Sequence, residues 1–225
     1  MEKTPDKFNR KNTEISLEKN KQKWSDLWHR IGAKGDEKQF FDDIVVRYTE
    51  KDRAYHSLTH IMNCLDELES VRKLSTDPNA IETALWYHDI IYDTKNKDNE
   101  EKSAEFFTNV AHNVSLDKSF SEKVTNLILA TKHIKNPDDL DIQLLVDIDL
   151  SILGQVKEKF NEYEKQIRIE YNWVPEKDFI SGRLAIIISF LGRPTIYSTK
   201  FFIDKYEIQE RENLTKALSN LQNIL

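Results

Sequence analysis

Apolar side chains recur every three or four positions along most of this chain, which is the period of one face of an α-helix. The segment after Ser57 shows the pattern clearly, with apolar residues at Ile61, Cys64, Leu65, Leu68 and Val71. Residues 186–188 are β-branched and favour a strand, but their neighbours offer no partner strand. The pattern therefore predicts an all-α protein.

Capping residues mark where several of these helices begin. Asp36 is followed by Gln39 three positions later, the spacing of a capping box. Asp77 precedes Pro78, and an N-cap followed by proline begins a helix. This second helix carries apolar residues on several sides as far as Tyr92, so we expect it to be central and buried.

Domain organisation follows from where the apolar stripes begin. Residues 1–22 are rich in Lys, Asn and Glu and have few large apolar groups, so they predict a flexible or loosely docked arm. Residues 23–225 show no linker and no repeat, which indicates a single compact multi-helix domain. Its chemically interesting motifs lie within residues 53–153, and residues 155–225 would complete the core.

Composition narrows the class of partner. The net charge is −6 with both signs interspersed, so the chain has no basic stripe for a large nucleic acid. The single cysteine excludes an internal disulfide, and no apolar run is long enough to span a bilayer. We therefore expect a cytoplasmic protein that does not associate with a membrane.

Histidines and acids capable of binding a metal lie on three predicted helices, at His60, His88, Asp89 and Asp149. A helical wheel places His60 at the edge of its apolar stripe with His56 one turn earlier. It places Asp149 on an apolar stripe with Asp147 roughly 160° away, so if only one of these two acids faces the interior, it should be Asp149. A lone inward histidine is more often a hydrogen-bonded core residue, and Asp149 could instead pair with Arg183. Buried acids on several helices nevertheless need compensation, which a divalent cation supplies.

The ordered set of a His, an adjacent His-Asp and a distant Asp resembles the metal signature of the HD superfamily of phosphohydrolases. Tyr55-His56-x-x-x-His60 also resembles an element of the cyclic-nucleotide phosphodiesterases, a branch of that superfamily. The resemblance implies that His60, His88, Asp89 and Asp149 bind metal and that His56 is the general acid. It implies hydrolysis of a phosphate ester or anhydride of a small metabolite, with a nucleotide as the first expectation, by metal-activated water.

Other residues are candidates for supporting roles. Glu100 is expected to orient water or to bind a second ion, the alternative being a solvated acid at a helix N-terminus. Candidates for holding substrate phosphate are Arg53, Lys132, Arg183 and Arg193, the alternative for each being a structural ion pair. His112 and His133 occupy the interval in which dinuclear members of the superfamily carry extra ligands, but both fall away from the apolar stripes, which favours surface positions.

Two other functions fit the same residues. One is a di-iron HD-type oxygenase, and the other is a non-catalytic helical binding module braced by a metal. The sequence does not distinguish among Mn, Mg, Co, Fe, Ni and Zn as the divalent metal, or between one ion and two. The phosphohydrolase function implies a small phosphorylated substrate as the partner.

Overall fold

A computed structural model describes residues 7–133 and 138–224, with side chains from Leu17 onward. This part of the chain is all helical and contains no strand, which confirms the predicted fold class. Residues 186–188, whose composition favoured a strand, lie within a helix. The helices are α1 (Lys7–Arg30), α2 (Glu37–Tyr48), α3 (Leu58–Val71), α4 (Pro78–Tyr87), α5 (Asn99–Asn113), α6 (Lys118–Ala130), α7 (Leu140–Asp149), a 3-10 helix (Leu150–Gly154), α8 (Lys157–Glu170), α9 (Glu176–Leu191) and α10 (Lys200–Gln222).

The predicted caps are present. The Asp36 carboxylate accepts hydrogen bonds from the amides of Lys38 and Gln39, and Asp77 accepts one from Ala80 with Pro78 in the first turn. Gly32 follows α1 with a φ of 68°, in the left-handed region that favours glycine. α1 passes through the predicted boundary at residue 22 without a break, and the division into an arm and a domain stays a prediction.

α4 lies at the centre of the core, as its apolar pattern predicted. Every side chain from Ala80 to Tyr87 is buried. The Trp86 ring is completely enclosed, with its centroid 5.7 Å from that of Trp24 and 6.2 Å from that of Phe41. The helix therefore provides a fixed support for the residues that follow it.

None of the helices in the described ranges combines the length and apolar character needed to cross a membrane.

Two helix boundaries differ from the prediction. α4 ends at Tyr87 and not at Tyr92, so His88 is its C-cap and Asp89 lies in the following turn. α3 begins at Leu58, so His56 lies in the preceding loop, and the prediction that His56 and His60 share one helix edge is wrong. The physical reason is tertiary, because the buried guanidinium of Arg53 binds the carbonyl oxygens of His56, Asp89 and Ile90 and holds both segments in non-helical conformations.

α7 ends at Asp149, and the chain tightens at once into the 3-10 helix, against which α10 packs. Asn213 donates to the Leu153 carbonyl at 2.8 Å, and the Tyr197 hydroxyl donates to the Leu150 carbonyl at 3.2 Å. A Cβ atom added at Gly154 would lie 2.5 Å from the Cβ atom of Tyr206, so this close approach requires glycine. α10 thus fixes the segment that directly follows Asp149.

Glu210 of α10 is a fully buried acid in this region. Neither of its oxygens has a hydrogen-bond partner, and burial raises the pKa of its carboxyl to about 9. The side chain is therefore neutral in the folded protein at neutral pH.

Candidate metal centre

Three of the four side chains predicted to bind metal, those of His60, His88 and Asp149, meet at one point, and Asp89 lies beside the two histidines. The Nε2 atom of His60 lies 3.1 Å from Nε2 of His88 and 3.2 Å from Oδ1 of Asp149. The Oδ2 atom of Asp89 lies 3.1 Å from Nε2 of His88 and 3.7 Å from Nε2 of His60. Ligands about 2.1 Å from one ion and at right angles to each other are about 3 Å apart, so these spacings suit a single small divalent cation.

The arrangement of the two histidines supports this fit. The Nδ1 atom of His88 is 3.0 Å from the carbonyl oxygen of Leu85, to which it donates, so Nε2 is left with its lone pair facing the centre. His60 has the Cys64 sulfur 3.7 Å from its Nδ1 atom. Two imidazole nitrogens that face each other at 3.1 Å need a proton or a cation between them. The donor set therefore fits a cation through nitrogen and carboxylate ligands.

The electrostatics of this group favour positive charge at its centre. Burial alone would lower the pKa of His88, but Asp89 and Asp149 outweigh it and hold that pKa well above its ordinary value. Burial alone would raise the pKa of Asp149, but hydrogen bonds from His133, His60 and His88 hold it well below its usual range. The two acids are therefore ionised, and they stabilise a proton or a metal ion beside them.

Asp147 and Asp149 have different surroundings although they are two residues apart. Asp149 faces the cluster, whereas Asp147 is completely buried on the other side and accepts hydrogen bonds from the amides of Ser198 and Thr199 at 2.8 and 2.7 Å. Asp147 thus fastens the N-terminus of α10. The wheel selected the acid that lies in the cluster, and the structure shows that Asp147, on the other side of the helix, is buried as well.

His56 lies next to the cluster and is held by an acid that the sequence interpretation missed. Its Nδ1 atom is 2.7 Å from Oε2 of Glu170, and its ring stacks on Tyr92 with centroids 4.1 Å apart. Burial opposes protonation, but Asp89 and Glu170 outweigh it and raise the pKa of His56. These two acids therefore favour protonation of His56 more than in a free imidazole, and the His56 side chain also lines the adjoining cavity.

Glu170 also fixes the backbone of the loop that carries His56. Its Oε1 atom accepts hydrogen bonds from the amides of Ala54, Tyr55 and His56, at distances of 2.7 to 2.9 Å. The sequence contained a signal for this role, because Glu170 is seven residues after Tyr163 and so lies on the apolar face of α8. A buried acid on such a face needs strong hydrogen-bond donors.

A cavity of about 570 Å³ opens in front of the cluster. Among the residues that line it are His56, Asp89, Asp149, Glu100 and His133. Glu100 therefore lines the same cavity as the cluster, and its role in orienting water stays a prediction. This volume lies within the range of small-molecule sites, which is roughly 300 to 1,000 Å³.

The two extra histidines have different positions. His133 lies 2.9 Å from Oδ2 of Asp149 and is not a surface residue, contrary to the position that the sequence favoured. Its φ of 54° lies in the left-handed region, and this turn after α6 directs the ring to the cavity. His112 is exposed at the end of α5, as expected for a surface histidine.

The four residues predicted to hold phosphate are not brought together. Arg183 lines the cavity, but its guanidinium is paired with Glu164 and donates to the Tyr163 hydroxyl at 3.0 Å. Because Arg183 pairs with Glu164, the alternative in which Arg183 pairs with Asp149 is wrong. The other three have positions outside the cavity wall: Arg53 binds backbone carbonyls, Lys132 pairs with Glu101, and Arg193 donates to the His133 carbonyl at 3.2 Å.

No family model, no curated protein and no solved structure matches this chain. The relation to HD phosphohydrolases accordingly remains a resemblance in motifs.

Proposed function

We propose that the protein is a metal-dependent phosphohydrolase of the HD type, acting on a phosphate ester or anhydride of a small metabolite. The observation that supports this proposal most strongly is the convergence of His60, His88 and Asp149, whose ligand atoms all lie within 4.8 Å of one another. Asp89 adds a second carboxylate, and a cavity large enough for a metabolite adjoins the group.

A divalent cation held by these residues would supply Lewis acidity toward a phosphoryl oxygen and would make water more acidic. The chain's own contribution is proton transfer and orientation. His56, protonated and facing the cavity, donates a proton to the leaving oxygen. Glu170 is a positioning residue, since it holds the ring, the backbone and the raised pKa of His56. Glu100 lines the cavity and would orient water there.

The first test combines metal analysis with a hydrolysis screen. Protein stripped of metal is given Mn²⁺, Co²⁺ or Mg²⁺ and assayed with nucleotides, sugar phosphates and phenyl phosphate. We expect one bound ion and turnover of at least one substrate class. Absence of hydrolysis with every metal, in protein shown to have bound the ion, would contradict the proposal.

The variant His56→Asn separates the roles of the two neighbouring histidines. We expect it to keep the metal and lose turnover, most strongly for substrates with poor leaving groups. His60→Asn is the matched variant, because its ring lies beside that of His56 but belongs to the cluster, and it should lose the metal. Loss of metal from His56→Asn would make His56 a ligand and remove the proposed proton donor.

The pH dependence of metal uptake follows from the raised pKa of His88. An imidazole must lose its proton before it binds metal, so uptake releases protons. The apparent affinity for Mn²⁺ should therefore increase as pH rises through the pKa of His88. Calorimetric titrations in buffers of different ionisation enthalpy measure the proton release directly.

A further inference from the structure

We propose that the cavity takes phosphate monoesters whose remaining part is apolar or aromatic, and that its charges disfavour diphosphates and triphosphates. This inference rests on the proposed function, since it assigns the substrate class of the same site. It is supported by three features of the cavity wall, which are its charge balance, the residues at two helix N-termini and its apolar surface.

The cavity wall has more acids than bases. Beside Asp89 and Asp149, whose charges a divalent cation would offset, Glu100 and Asp178 line the cavity. The basic residues of the wall are Lys97, Arg183 and the histidines His56 and His133. The charge of Arg183 is balanced by Glu164, and the two histidines are paired with the carboxylates of Glu170 and Asp149. The negative charges of Glu100 and Asp178 thus outnumber the positive charge of Lys97, so the wall has too little positive charge to neutralise a polyphosphate.

The two helix N-termini at the cavity reinforce this point. Helix N-termini are favourable places for phosphate because their amide groups and dipole attract anions. Here Glu100 lies in the first turn of α5, and Asp178 lies in the first turn of α9. The carboxylates of Glu100 and Asp178 therefore already lie at the two helix N-termini where a second or third phosphate group would otherwise bind.

The rest of the wall suits an uncharged body. It is formed largely by aromatic and aliphatic side chains, namely Tyr163, Ile167, Tyr171, Val174, Phe179 and Ile186. Such side chains bind an apolar or aromatic group by excluding water from both surfaces. A monoester can place its phosphate at the cluster and its organic part against this wall.

The experiment compares the binding of two non-hydrolysable probes that share one organic group. Benzylphosphonate and the corresponding benzyl methylenebisphosphonate are titrated into Mn²⁺-loaded protein by calorimetry, at a fixed free Mn²⁺ concentration because the bisphosphonate chelates the ion. We expect the monophosphonate to bind at least about five-fold more tightly than the bisphosphonate, because the bisphosphonate brings one more negative charge near two carboxylates. Equal binding, or tighter binding of the bisphosphonate, would overturn the proposal.

The variant Asp178→Asn tests the cause of this selectivity. Removing one carboxylate should shift the ratio of the two affinities about five-fold toward the bisphosphonate. Glu176→Gln is the matched control, because Glu176 is exposed in the same first turn of α9 but does not line the cavity. An unchanged ratio in Asp178→Asn, or an equal shift in both variants, would refute the assignment of selectivity to the cavity wall.

Turnover distinguishes the failure of this inference from the failure of the proposed function. Hydrolysis of phenyl phosphate with no preference between the two probes would leave the phosphohydrolase proposal standing and refute the substrate class. Preferential binding of benzylphosphonate without hydrolysis of any substrate would support the assigned ligand class and refute the catalytic function.

Discussion

Replacing Glu210 with glutamine should change how the stability of this protein depends on pH. Burial raises the pKa of this carboxyl from 4.5 to about 9. Above the lower value the unfolded chain releases the proton, whereas the folded protein keeps it. The wild-type protein therefore loses stability from this group as pH rises from 4.5 to about 9, and the contribution is fully present below 4.5.

The size of the effect follows from the same two pKa values. Each pH unit within this interval costs about 1.4 kcal/mol of unfolding free energy, so the loss between pH 5 and pH 7 is about 3 kcal/mol. Glutamine has nearly the same shape and does not ionise. Its buried amide adds a cost of about 1 to 3 kcal/mol because neither oxygen of Glu210 has a hydrogen-bond partner, but this cost does not vary with pH.

The measurement is urea unfolding of wild-type and Glu210→Gln protein at several pH values in this range. The free energy of the variant minus that of the wild type should rise by about 3 kcal/mol from pH 5 to pH 7. Glu212→Gln is the control, since Glu212 is exposed on the same helix. Parallel stability curves for Glu210→Gln and wild type would show that the carboxyl is ionised or hydrated, and would refute the reasoning.

Four further substitutions test other parts of the fold and site. Asp149→Asn should weaken Mn²⁺ binding 10-fold or more, measured by calorimetry. Asp147→Asn should instead lower the unfolding free energy by about 1 to 3 kcal/mol, because it loses buried hydrogen bonds at the N-terminus of α10. Weaker Mn²⁺ binding in Asp147→Asn and lower stability in Asp149→Asn would contradict the assignment. Glu170→Gln should retain metal but lower the pKa of His56 in NMR titrations, and an unchanged pKa would remove its positioning role. Gly154→Ala should cost about 1 to 3 kcal/mol in urea unfolding because its Cβ atom would overlap Tyr206, and wild-type stability would show that α10 can shift freely.

The helical architecture could be predicted because it depends on local patterns. The caps at Asp36 and Asp77 and the central position of α4 follow from residue type and period alone. The wheel also separated Asp149 from Asp147, because the two acids lie on different sides of one helix. These features need no knowledge of distant contacts.

The remaining parts of the site depend on contacts between segments far apart in sequence. His56 lies outside α3 because Arg53 and Glu170 satisfy the backbone groups of its loop, and Glu170 comes from a helix more than a hundred positions later. His133 reaches Asp149 through a left-handed turn, which helical periodicity does not describe. The charge of Arg53 predicted a role in binding phosphate, whereas its guanidinium donates hydrogen bonds to backbone carbonyl oxygens.

The position of Glu170 has a consequence for the order in which the site is completed during synthesis. The candidate metal ligands from His60 to Asp149 leave the ribosome before Glu170 does, so the loop of His56 lacks its three amide contacts until α8 has emerged. Closing such a long loop is entropically costly and is delayed until the intervening helices have packed. In the proposed function, a nascent chain would therefore assemble the candidate cation site before it gains an oriented proton donor.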